Sequence, residues 1–218
     1  MAMTRDLETR RYNYFKSFMF DGSVWCGEFA FPKIKKSFAV PCNPISFVES
    51  RSVYRRDDRW LHFFAEDLNF ECVWTNPKAY LSMFKNFAGV MTPDFSMYAD
   101  LPKAHQIWNC YRNRVLAYWM QSNDVNIVPS VNWTADPKGW NWCFDGLPRG
   151  GTVAVSGNGC YLNPFCRQYF INGFNEMCTR LSPDVIVAVG YIPKELRKRS
   201  NVIVLQGYSQ QRHVRERA

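Results

Sequence analysis

Histidine is scarce in this chain: His62, His105 and His213 are its whole supply. That shortage disfavours a Ser-His-Asp type triad and a histidine-rich metal site. Eight cysteines are present, yet no two stand in a CxxC pair, so a zinc site by spacing is not expected. Cys110 and Cys178 fall inside predicted helices as small hydrophobes, and the thiols are expected to be reduced in a cytosol. No apolar run reaches 18 residues, which predicts no membrane span. No basic segment followed by an apolar core opens the chain, so no secretory leader is expected and the location is expected to be cytoplasmic. Gly150-Gly151 and Gly157-Asn158-Gly159 are rich in glycine, but neither fits a P-loop or a dinucleotide fingerprint.

A further shortage is local. The helix predicted from Pro102 to Gln121 has no Glu and a single Lys, at its start. Solvated helix faces are usually built from Glu and Lys, which favour helix and water alike. Here Gln106, Asn109, Arg112 and Asn113 stand instead. Gln106, Asn109 and Asn113 lie on one side of the helix, with Arg112 flanking the apolar stripe. Such a face suits gripping phosphate, base edges or a sugar, and equally suits a buried network tying the helix to loops. Arg114 points elsewhere on the wheel and is expected to be solvated. Ala104, Trp108, Tyr111, Val115 and Trp119 form the expected core stripe.

With 218 residues, 47% hydrophobic content and 17% aromatics, the chain is expected to fold as one domain with a sizeable core. Its net charge of +8 favours a polyanionic partner or a basic soluble surface. The excess gathers at Lys33, Lys35 and Lys36 and in the last stretch, from Lys194 to Arg217.

Helical and strand patterns alternate from Trp60 onward. Strands are expected at Trp60–Phe64, Gly89–Met91, Val125–Val131, Thr152–Ser156, Asp184–Gly190 and Asn201–Leu205, and helices after Asn76-Pro77, from Arg167 to Leu181 and from Pro193 to Arg199. Alternation with continuous Val/Ile strands predicts an α/β fold, a mainly parallel sheet of five or six strands, partial-barrel-like or open, flanked by helices. A small β-rich appendage with an Asp21-Gly22 hairpin turn is expected at the N-terminus. Pro41 to Arg59 reads as irregular. The expected divisions are residues 1–59 for arm and appendage, 60–207 for the α/β core, and 208–218 for a basic, disordered tail.

In parallel α/β folds, ligands sit beyond the carboxyl ends of the strands. That rule singles out Glu66 and Asp67, Asp94, Asn132 and Trp133, Ser156 to Asn158, Gly190 and Tyr191, and Gln206. Asp94, stiffened by Pro93, ranks first as a general base or a Mg²⁺ ligand. Asp145 and Glu66 are the other candidate catalytic acids, against the plainer roles of turn and cap. Gln106, Asn109, Arg112, Asn113, Asn132, Trp133 and Asn158 are the candidate ligand-binding residues.

The blocks Pro93-Asp94-Phe95-Ser96, Gln106-Ile107-Trp108-Asn109-Cys110-Tyr111-Arg112-Asn113-Arg114 and Cys143-Phe144-Asp145-Gly146-Leu147-Pro148 resemble an uncharacterised bacterial family, a domain of unknown function met on phages, plasmids and other mobile elements. The resemblance covers roughly Phe20 to Leu205. It implies a mobile-element setting and supports the order of elements, but carries no activity or site residue. Three functions are therefore expected. The first is handling of nucleic acid through the basic surface and the amide/arginine face. The second is a carboxylate-based phosphodiesterase or hydrolase, with or without Mg²⁺. The third is a module binding a host protein through aromatics around Trp140 and Trp142.

Overall fold

A computed structural model describes residues 2–160 and 163–207. The basic tail, residues 208–218, lies outside the described residues, and so does its expected disorder.

After helix α1 (Ala2–Tyr14), strands β1 (Trp25–Cys26) and β2 (Phe31–Pro32) pair as an antiparallel hairpin. Its turn is Gly27 to Ala30 and not the expected Asp21-Gly22, because Gly27 and Ala30 supply the positive φ angles of 71° and 50°. Strands β3 (Pro44–Ser46), β4 (Trp60–His62), β5 (Gly89–Met91) and β6 (Ile127–Val128) then form a parallel sheet in chain order. Helices α2 (Glu71–Thr75) and α3 (Leu81–Lys85) follow β4, and the long helix α4 (Lys103–Ser122) joins β5 to β6. After the short α5 (Trp140–Cys143) come β7 (Thr152–Val155), α6 (Pro164–Leu181), β8 (Val185–Val189), α7 (Lys194–Arg197) and β9 (Val202–Leu205). Strands β7, β8 and β9 make a second parallel sheet, again in chain order. One parallel bridge, Ser130 to Ala154, joins the two sheets. The fold is thus the expected parallel α/β arrangement, with seven parallel strands among the described residues and not five or six. The extra strand, β3, lies in the stretch read as irregular.

Successive strands lie about 4.8 Å apart, so β4 and β7 would stand about 14 Å apart in a flat sheet. Asn158 Nδ2 nevertheless donates to the Phe64 carbonyl at 3.4 Å, just beyond those two strands. The loops after β4 and β7 therefore reach toward each other across the carboxyl edge of the sheets. Trp60, Phe64, Met91, Val128, Ala154, Val187 and Val189 pack together on one face. Leu61, Phe63, Val90 and Ile127 pack under the helices on the other face of the first sheet. Val153, Val155, Ile186 and Ala188 do the same in the second, against Phe170, Phe174 and Met177 of α6. Burial of both faces explains the continuous apolar strands.

The stripe expected on α4 is only half right. Val115 and Trp119 enter the core, whereas Trp108 is 44% exposed and Ala104 is exposed. Arg114, expected in solvent, is among the largest fully buried side chains. Its Nε donates to the Asp145 carbonyl at 2.9 Å and its Nη2 to the Cys143 carbonyl at 2.5 Å. The last residue of α5 and the loop after it supply those carbonyls, so the guanidinium replaces water with fixed acceptors.

Candidate functional site at the strand ends

The loop after β5 runs Thr92-Pro93-Asp94-Phe95-Ser96-Met97, and nearly every polar group around it fastens it. Thr92 is tied to Ser130: the Ser130 N–H donates to Thr92 Oγ1 at 2.9 Å, and Ser130 Oγ donates to the Thr92 carbonyl at 2.6 Å. Asn113 accepts from the Phe95 N–H at 2.8 Å and donates to its carbonyl at 3.0 Å. Asn132 Nδ2 donates to the same carbonyl at 2.8 Å. Asn109 donates to the Ser96 carbonyl at 2.7 Å, and Arg112 holds Asn109 Oδ1 at 2.6 Å. Arg112 also pairs with Glu71 at 2.6 Å, and its guanidinium lies 3.6 Å from the centre of the Phe95 ring. The Ser96 N–H and hydroxyl both donate to Asp67. The amide/arginine face of α4 is therefore turned onto this loop. Gln106 is used locally, donating to the Leu101 carbonyl at 2.9 Å.

That fastening fixes Asp94 between two adjoining hollows of about 310 and 380 Å³. Both open beyond the carboxyl ends of the strands, and both are lined by Asp94, Ser96, Ser156 and Asn158. The first adds an apolar and aromatic wall, with Met97, Val131, Trp133, Tyr169 and Phe170, and the Asn132 amide. The second adds Glu66 and Tyr98. Their size falls in the range of small-ligand sites. Trp133 is braced by Phe170 at 5.1 Å between ring centroids. Asn163 caps α6, accepting from the Cys166 N–H at 2.8 Å, and so sets the turn that carries Tyr169 and Phe170.

Asp94 retains some surface, but its Oδ1 is sealed and has no hydrogen-bond partner. Burial, reinforced by the Asp67 charge and only partly offset by Arg114, raises its pKa from 3.8 to about 7. Asp67 itself is raised by burial, against the Ser96 hydrogen bonds that lower it. Asn132 Oδ1 is likewise buried without a partner. Both oxygens are thus unsatisfied and shut off from solvent.

Of the residues singled out by sequence, Asp94, Glu66, Asn132, Trp133 and Asn158 come together around the two hollows. Gln106, Asn109, Arg112 and Asn113 do not line them. Nor does Asp145: α5 intervenes and carries the chain back toward the start of β7, where Asp145 abuts Gly27 of the hairpin. Ser96, Met97, Tyr98, Tyr169 and Phe170 line the hollows without having been singled out. The strand-end rule does reach the β5 loop, but Tyr169 and Phe170 lie on a helix, where an apolar stripe reads as core. No cluster of three or more His, Cys, Asp or Glu placed to hold a metal ion occurs among the described residues. No helix among them is long and apolar enough to cross a membrane. Trp142 is 4% exposed, and the half-buried Trp140 donates its Nε1–H to the Thr134 carbonyl at 3.1 Å. These two tryptophans therefore do not form the open aromatic patch that a host-protein module would show.

The architecture is that of a parallel α/β protein with two ligand-sized hollows at the carboxyl edge of its sheet. The chain belongs to the family described as Domain of unknown function (DUF4417), whose model matches residues 24–208. It is similar to the Gene 1 protein of Mycobacterium phage L5, 37% identical over 132 residues, which are 61% of this chain and 57% of that protein. It is also similar to the Gene 1 protein of Mycobacterium phage D29, 37% identical over 130 residues, 60% of this chain and 48% of that protein. The chain thus matches about half the length of these phage relatives. No solved structure matches it.

Proposed function

We propose that the strand-end hollows are the functional site and that Asp94 serves there as a general acid–base group on a ligand derived from nucleic acid. One observation carries this reading: a carboxyl raised to about 7 stands in the wall shared by two ligand-sized hollows, with an oxygen that nothing satisfies. A group that titrates near neutrality both gives and takes a proton at working pH. An unpaired buried carboxyl also costs stability, as sites kept for chemistry commonly do. The net charge of +8 is what favours a nucleic-acid context for the ligand. A phosphodiesterase is the less favoured form of this chemistry, because among the described residues the hollows are lined by Glu66 and Asp94 and by no Lys, Arg or His.

The test is a carboxyl-carbon NMR titration of Asp94, together with a screen of small heterocycles by amide shifts. Titration near 7 and ligand-induced shifts at Asn132, Ser156 and Asn158 are expected. An Asp94 that titrates near 4, with no heterocycle moving those amides, overturns the reading.

A second reading is sequence-independent binding of single-stranded nucleic acid. Trp74 meets Trp108 edge-on at 5.3 Å, and Trp108 stacks on Tyr111 at 5.5 Å. Lys16 Nζ lies 6.0 Å from the Trp74 ring. Aromatics beside a cation on a basic protein suit stacked bases and phosphates. A mobility-shift assay with a salt titration tests it: no binding at low salt removes this reading.

A further inference from the structure

We infer that the amino edge of the two sheets, opposite the hollows around Asp94, is a docking surface for single-stranded nucleic acid. Backbone phosphates lie on Lys35, Lys36 and Arg149, and a base stacks on Phe38. Three features of that edge point to it.

The first is a fixed seat for the cations. The Ala154 N–H donates to the Pro129 carbonyl at 2.9 Å, but the Thr152 N–H, two residues earlier, donates to the Ser37 carbonyl at 2.7 Å. The chain from Lys35 to Ser37 therefore crosses the edge where β7 begins. Gln121, in the last turn of α4, clamps it there. Its side chain accepts from the Lys35 N–H at 2.9 Å and donates to the Lys35 carbonyl at 2.9 Å. Lys35 and Lys36 are exposed. With Ser37, Gln121 and Asn126 they line a hollow of about 240 Å³. Arg149 comes alongside, since a Cβ built on the next residue, Gly150, would lie 2.9 Å from Lys36 Nζ. The acid beside them, Asp184, is engaged by the Gly151 N–H at 2.6 Å.

The second feature is the separation of charge. Among the described residues no Asp or Glu lines the Lys35–Lys36 hollow, whereas Glu66 and Asp94 line the hollows at the other edge. The loops repeat the pattern. Arg55 and Arg59 precede β4, and Lys198 and Arg199 precede β9. Asp57 and Asp58 stand among them, but already lie 3.7 Å from Arg55 and 3.6 Å from Arg59. The remaining acids of this edge are Asp124 and Asp184. Beyond the carboxyl ends the balance reverses, with Glu66, Asp67, Asp94, Asp100 and Asp136 against Lys103 and Lys138. A polyanion is thus drawn to one edge and turned away from the other.

The third feature is an aromatic ring beside the cations. Phe38 is 73% exposed, and Lys36 Nζ lies 5.6 Å from its ring centre. An open ring next to an ammonium suits a base and its phosphate. A duplex keeps its bases stacked inside and has none to offer, so Phe38 selects the single strand.

Fluorescence anisotropy of a labelled oligothymidylate with the full chain tests this across a salt series. Lys35→Glu/Lys36→Glu is expected to weaken binding about 10-fold or more, and to lower the slope of log affinity on log salt by about 1.4, at about 0.7 per phosphate contact. Phe38→Ala is expected to weaken binding about 5-fold or more with the slope unchanged. Two controls remove the same charge elsewhere: Lys103→Glu/Lys138→Glu at the carboxyl edge, and Arg212→Glu/Arg215→Glu near the end of the chain. Both are expected to stay within about 3-fold of wild type at about 0.1 M salt, where distant charges are screened. A control that loses as much as the Lys35–Lys36 pair shows net charge alone at work and overturns the inference. So does Trp108→Ala costing more than that pair, which would place the strand on the tryptophan cluster. A duplex that binds as tightly as the single strand overturns it, and so does the absence of binding at low salt.

Discussion

Asn113 holds Phe95 by both ends of its amide, its Oδ1 on the Phe95 N–H at 2.8 Å and its Nδ2 on the Phe95 carbonyl at 3.0 Å. The backbone next to Asp94 is thereby pinned from a helix 18 residues further along the chain. Asn113 is buried, so replacement by Leu strands the Phe95 N–H without water or partner. Such a loss costs about 1–3 kcal/mol. Urea denaturation of Asn113→Leu should show a drop of that size. The loosened loop should also admit water to Asp94 and bring its pKa down toward the ordinary range. A variant with an unchanged midpoint would show the clamp to be idle.

Acid and base titrations should oppose one another in the stability of this fold. Asp94 is raised from 3.8 to about 7, so between those values the folded chain holds a proton that the unfolded chain has released. Stability from this group therefore falls as pH rises through that window. His62 is fully buried, accepts from the Phe64 N–H at 3.3 Å, and is lowered by burial from 6.5 to about 3. Below 6.5 the unfolded chain takes up a proton that the folded chain refuses, so stability falls as pH drops. From about pH 4 to 6.5 the two slopes, each roughly 1.4 kcal/mol per pH unit, cancel. Asp94→Asn should gain stability relative to wild type as pH rises, on the order of 4 kcal/mol by pH 8. His62→Gln should gain relative to wild type as pH falls. Denaturation midpoints of the three proteins across pH 4 to 8 check this. Parallel curves would refute both assignments.

Arg114 gives the largest expected loss. Its head holds the Asp145 and Cys143 carbonyls, and its stem passes under Gly146, where an added Cβ would sit 3.2 Å from Arg114 Cδ. Arg114→Ala leaves the Asp145 carbonyl unpaired, the Cys143 carbonyl with only the Cys110 thiol at 3.7 Å, and a cavity, which together cost about 3–5 kcal/mol. Arg114→Lys recovers only part of that, because a single ammonium cannot reproduce the fork. Thermal unfolding of both variants measures the difference. Equal stability of the Lys variant and wild type would show that charge alone suffices.

Where sequence reading succeeded, the signal was periodic and local. Val185 to Val189 is a continuous apolar run, and it is a buried strand. Parallel order followed from alternation, and strand-end geometry then led to Asp94, Asn132, Trp133 and Asn158. Failures came where tertiary partners decide. Arg114 looks like a solvated arginine until the loop after α5 offers it carbonyls. Asn109 and Asn113 carry the same residue type whether they face a ligand or a loop, and only the position of Phe95 and Ser96 settles which. Strand β3 begins at a proline and spans Pro44 to Ser46, too short for any period to show. Asp145 reads as a candidate catalytic acid because α5, only Trp140–Cys143, offers no readable helical pattern that would carry it away from the strand ends.

Gly173 sets how closely α6 approaches the site. It is buried in mid-helix, where an added Cβ would lie 2.1 Å from Cδ1 and Nε1 of Trp133. Two effects of Gly173→Ala compete. Alanine favours helix by about 1 kcal/mol over glycine. Overpacking against a braced indole costs about 1–3 kcal/mol, and no real Cβ sits at that distance, so the ring or the helix must move. The clash should win, lowering stability and displacing Trp133 from the wall of the first hollow. Chemical denaturation gives the first effect, and the fluorine resonance of 5-fluorotryptophan at position 133 gives the second. A double-mutant cycle separates the terms: in a Trp133→Leu background the obstacle is gone, and Gly173→Ala should become neutral or stabilising. If the alanine costs as much without the indole as with it, the glycine is serving the helix and not the site.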